Sequence, residues 1–144
     1  MRRSLTIAVM VVVAVLNSVA SKETVQQLAA RADAARPEDR PGLYIEIAQR
    51  QLKAVNELFA AGKDEDAVLA VKDVVTYSEK AHDAAIAARN KLKNTEIALR
   101  KMAAKLRDIK RTLSFEDQAP VQAASDQLEA LRTDLLAKMF GKGK

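Results

Sequence analysis

From Lys63 to Ala119 the chain contains neither glycine nor proline, and apolar residues recur every seven positions along most of that stretch. One series is Val71, Ser78, Ala85, Leu92, Leu99, Leu106 and Leu113, and the interleaved one is Val74, Ala81, Ala88, Thr95, Met102 and Ile109. Two interleaved series in register over successive heptads describe a coiled-coil seam. The spacing predicts one long helix from Asp64 to Thr112, about 75 Å at 1.5 Å per residue. The seam changes character midway. Ser78, Ala81, Ala85 and Ala88 are small and permit close approach, whereas the positions from Leu92 onward are bulky. Asn90 and Asn94-Thr95-Glu96 offer the alternative of a break, because Asn and Thr favour caps over helix interiors.

The remaining breakers divide the flanks. Residues 22–35 read as a short helix with Val25, Leu28, Ala29 and Ala32 on one face, and Pro37 to Gly42 as a polar turn. Residues 43–61 follow as a second helix, with Ile45, Ala48, Leu52, Val55 and Phe59 three or four apart. Gly62 stands where a left-handed helix-ending residue is wanted, and Asp64 where a cap is wanted. Ser114 and Asp117 are spaced like a capping box ahead of a last helix, 119–140, with Pro120 in its first turn. Gly141-Lys142-Gly143-Lys144 is a tail. Short connections force antiparallel neighbours. The expected architecture is therefore all-α: antiparallel helical hairpins in a bundle around the long helix, one domain over 21–140.

Composition narrows the function classes. Of 144 residues 49% are hydrophobic but only 3% aromatic, with no Cys, no Trp and one His. That balance excludes an all-β fold, a disulfide scaffold, a thiol enzyme and a cysteine-ligated metal. Met1-Arg2-Arg3 precedes an unbroken apolar run from Ile7 to Leu16, and Ser18-Val19-Ala20 supplies the small residues a signal peptidase reads. Residues 1–20 are expected to be a signal peptide cut before Ser21, which makes the protein exported, periplasmic or secreted. The alternative is an uncleaved N-terminal anchor. Cleavage leaves 124 residues with a formal charge of +3, against +5 for the whole chain.

Leu58-Phe59-Ala60-Ala61-Gly62-Lys63-Asp64-Glu65-Asp66-Ala67 resembles the bend between the two helices of a tetratricopeptide repeat. Gly62 and Ala67 take the places of its turn glycine and its small packing alanine. The resemblance covers about residues 43–80, roughly one repeat. Gln51 stands in place of the usual tryptophan, Val55 in place of a glycine, and no second copy follows. It implies a helical hairpin of similar geometry. As a whole the chain resembles small, alanine-rich, exported helical bacterial proteins of unknown function, which implies no activity.

No catalytic set emerges. Glu79 and His82 have the Glu-x-x-His spacing of ferritin-like metal bundles, but those need two such pairs and this chain has one histidine. Asp64-Glu65-Asp66 begins like a calcium loop, yet Leu69 and Val75 replace the glycine and glutamate it requires. A hydrolytic triad would have to use His82, with no serine in a strained turn to serve it. The reading is non-enzymatic, with no metal and no cofactor.

Charge is the remaining signal. Asp64 to Asp83 carries a net −4 and Arg89 to Arg111 a net +7. A helix dipole acts only over its terminal turns, so it does not account for a basic run of that length. Either these bases face Glu116, Asp117, Asp126, Glu129 and Asp134 of the last helix, or they form an anion-binding surface of Arg89, Lys93, Arg100, Lys101, Arg107, Lys110 and Arg111. The expected role is non-catalytic binding or scaffolding in the envelope or periplasm through helix–helix contact with a protein partner, or with a second copy through the heptad face. The alternative is binding of anionic polymer or lipid headgroups through residues 89–111. Nucleic acid is disfavoured, because no aromatic residues interleave the bases for stacking.

Overall fold

The computed structural model describes residues 23–141. Of these 86% are helical, in five helices with no strand among the described residues, and the protein is all-α. The helices are α1 (Val25–Ala34), α2 (Arg40–Ala60), α3 (Asp64–Ala88), α4 (Leu92–Arg111) and α5 (Phe115–Phe140). The targeting segment 1–20, the cut before Ser21 and residues 142–144 of the tail lie outside the described residues.

The principal correction is to the long helix, which ends at Ala88 and restarts at Leu92. Arg89 (φ 51°) and Lys91 (φ 62°) both take the left-handed conformation. The Asn90 amide donates back to Ala85 O at 3.2 Å, closing α3 as a glycine usually does. Two such non-glycine residues cost roughly 1–2 kcal/mol each. The return comes from folding the second half back along the first. Ile45 and Thr95 stand where α2 meets α4, and Val71 and Ala124 where α3 meets α5. All four are buried. A buried Val, Leu or Ile contributes about 1.5–3 kcal/mol, so two or three such contacts outweigh the strain. A straight helix would forgo every one of them.

The result is two antiparallel hairpins laid on each other. Gln51 Nε2 donates to Asp73 Oδ2 at 2.8 Å, which fixes α2 against α3. Arg132 to Glu96 and Lys110 to Gln122 fix α5 against α4. Between layers the pairs run parallel, α2 beside α4 and α3 beside α5. Among the described helices α1 packs only on α2, antiparallel to it, with Tyr44 Oη donating to Asp33 and Arg50 to Glu23 O. Leu28, Ile47, Val55, Val74, Leu99, Leu106, Val121, Leu128 and Leu135 are wholly buried.

Helix starts differ from the expected ones for local reasons. Thr24 and Gln27 form a reciprocal capping box that begins α1 at Val25. Pro41 lies in the first turn of α2, where a missing amide costs little, so the helix begins at Arg40 within the expected turn. Gly62 is left-handed (φ 75°), as expected. Ser114 Oγ donates to the Asp117 carboxylate, and α5 starts at Phe115. Pro120 therefore falls in the second turn rather than the first.

Candidate functional site

The basic stretch divides into two groups. Arg107 Nη1 reaches Glu129 Oε1 at 3.2 Å and Ser125 Oγ at 3.3 Å, Lys110 Nζ donates to Gln122 at 2.7 Å, and Arg111 pairs with Asp108 in its own helix. Arg107 and Lys110 are half-buried parts of the α4–α5 contact rather than a free surface. Arg89 sits in the left-handed connection. Lys93, Arg100 and Lys101 are exposed on α4, and among the described residues none of the three makes an ion pair.

The polarity of the α4–α5 contact is partly reversed from expectation. Glu96, on the basic helix, is buried and accepts from Arg132, on the acidic one, at 2.7 Å. The Glu96 hydrogen bond, reinforced by Glu129, pushes the Arg132 guanidinium above its ordinary range against the desolvation that opposes it. Ser125 Oγ donates to Ala103 O, continuing the line of polar contacts. Arg132, in the middle of a mainly acidic last helix, was the signal in the sequence for this pairing.

His82 is buried, with Nε2 2.7 Å from Asp134 Oδ2 on α5 and Nδ1 2.8 Å from Asp83 Oδ1. This ties the far ends of α3 and α5 together. Glu79 is exposed and takes no part in these contacts. Among the described residues no three His, Cys, Asp or Glu side chains form a metal-holding group. Asp64, Glu65 and Asp66 open α3 as exposed acids in its first turn.

Two surfaces were not legible in the sequence. One is the outward side of α5. Along one side of that helix Phe115, Ala119, Ala123, Ala130, Ala137 and Phe140 are all exposed, with Asp126 and Thr133 among them. Phe115 keeps 87% and Phe140 70% of its surface in water. The other is a groove of about 420 Å³ between α3 and α5, walled by Val68, Val71, Val75, Pro120, Ala123 and Ala124. It arises only because the two helices run parallel, which the break at Arg89–Lys91 decides. A second cleft, between the α1–α2 turn and the start of α4, is lined by Arg36, Glu38, Asp39, Glu46 and Lys91 and is open and mixed in charge.

Comparison with known protein families, curated proteins and solved structures finds no match. Among the described residues no helix is long and apolar enough to cross a membrane.

Proposed function

We propose that the protein is an exported, non-catalytic binding or scaffold protein of the bacterial envelope or periplasm, acting through helix–helix contact with a protein partner. The observation that carries this reading is the outward side of α5. The exposed side of that helix carries four alanines, with a phenylalanine left to water at each end. The fully buried centre of an interface has that aromatic and aliphatic character. Crosslinked capture from the native envelope tests it. A discrete partner should be recovered with the parent and lost with Ala130→Glu plus Ala137→Glu, two exposed positions whose change leaves the core intact. Equal recovery with parent and variant would contradict the reading.

A second reading rests on Lys93, Arg100 and Lys101, three exposed bases on one side of α4 without acidic partners among the described residues. They would hold an anionic polymer or lipid headgroups. Retention on heparin at low ionic strength, lost by ~0.3 M salt and absent in the triple glutamine variant, is the expected behaviour.

A further inference from the structure

We infer that the groove between α3 and α5 is a docking site for a cationic amphipathic helix of a partner protein. The inference rests on the helix–helix reading and adds a second surface, beside the outward side of α5, with the chemistry of its partner.

The groove has the right form. Its walls are two parallel helices, and the span from Val68 to Thr76 is about 12 Å at 1.5 Å per residue, a little over two helical turns. A third helix laid between two others is the usual occupant of such a trough, inserting apolar side chains at i, i+3 or i+4, and i+7. The floor is aliphatic, and Lys72, Thr76 and Gln127 stand along the groove. At the N-terminal end the trough opens into a shallow depression that shares Val68 and adds Leu69, Asp64, Glu65 and Asp117. Leu69 is 58% exposed there, an apolar anchor point left open by the described residues.

Charge selects the partner. Asp64, Glu65, Asp66, Glu116 and Asp117 gather at this end because α3 and α5 both begin here. Acids at helix N-termini also serve the dipole, but each terminus supplies only about half a positive charge. Lys63, Lys72 and the two termini offset part of this charge, while Lys110 and Arg111 at the end of α4 are engaged with Gln122 and Asp108. Among the described residues none of the five carboxylates is in an ion pair. An aliphatic floor that ends in unpaired carboxylates fits a helix with an apolar stripe and Lys or Arg at one end. It repels anionic lipid and nucleic acid.

The test uses two synthetic helices of about 18 residues with identical leucine stripes, one carrying lysine and the other glutamate on the polar face. Fluorescence anisotropy with the purified protein should show the lysine helix bound at least about tenfold more tightly than the glutamate helix. Thr76→Arg with Ala123→Arg, which fills the groove with bulk and like charge, should abolish binding. Glu65→Lys with Asp117→Lys should weaken it about tenfold and remove its salt dependence. Amide chemical-shift changes in the parent should cluster at 65–76 and 117–127, a readout that needs no variant. Equal binding of both helices, shifts elsewhere, or self-association that disappears in the Thr76→Arg variant would each overturn the assignment. If the lysine helix fails while capture from the envelope still depends on Ala130 and Ala137, the groove assignment falls and the proposed function stands. If both fail, both fall.

Discussion

The two hairpins are similar in length and opposite in interior. In the α2–α3 hairpin α3 buries the small residues Ala67, Ala70, Ser78, Ala81 and Ala85 beside Val71 and Val74, and the bulk comes mostly from Ile45, Ile47, Leu52 and Val55 of α2. At one edge Tyr44 and Tyr77 lie 6.4 Å apart and Lys80 sits over both rings. The α4–α5 hairpin is filled by Leu99, Met102, Leu106, Leu128 and Leu135 and edged by the Glu96–Arg132–Glu129–Arg107 line. A small-residue seam is damaged by enlargement and a bulky one by truncation. The first hairpin therefore depends on closeness, and the second on volume and charge.

That contrast breaks most visibly at Leu106. Leu106→Ala should cost ~2–5 kcal/mol in chemical denaturation, since the side chain is wholly buried. Next, Ala81→Leu should cost ~1–3 kcal/mol through overpacking, although it adds apolar surface. If Ala81→Leu were stabilising, the small seam would not be in close contact.

Smaller changes should raise stability. Arg89→Gly removes a left-handed non-glycine residue and should stabilise by up to ~1 kcal/mol. Ser78→Ala should gain ~1 kcal/mol, because Ser78 Oγ is buried with no hydrogen-bond partner. Loss of stability with Ser78→Ala would show that this hydroxyl is satisfied after all.

The subtlest difference is in alkaline solution. Burial, then the hydrogen bond to Asp33, pushes the Tyr44 hydroxyl up to about 12 from its usual 10. The folded state thus holds this proton more tightly than the unfolded one. Its contribution is fully present below pH 10 and is lost as pH rises from 10 towards 12. Parent and Tyr44→Phe should converge in melting temperature across that window, and parallel curves would contradict the assignment.

Much of the fold follows from local chemistry visible in the chain. Gly62 turns the first hairpin as expected, and the heptad leucines Leu99 and Leu106 are core. The break is signalled locally only by Asn90, the alternative its cap preference offered; the heptad register runs unchanged through Ala85, Leu92 and Leu99, and neither Arg89 nor Lys91 is a residue that favours a left-handed turn. The burial gained between hairpins decides it, and that is a long-range quantity. The candidate surfaces were hidden for the same reason. Val68, Val75, Ala123 and Ala124 look like ordinary heptad neighbours until α3 and α5 lie side by side. The basic run misled in part, since Arg107 and Lys110 have partners on α5 that no spacing within α4 announces.

The fold-back at Arg89–Lys91 places every surface discussed above, and one distance tests it. The chain has no cysteine, so Lys72→Cys with Gln127→Cys gives a clean pair for spin labels on the two walls of the α3–α5 groove. Pulsed dipolar spectroscopy should return a separation on the order of 20 Å or less, as expected for helices in contact. A continuous helix from 64 to 112, with α5 folded back on its second half, would place the same labels about 45 Å apart, and a distribution centred there would contradict the two-hairpin account.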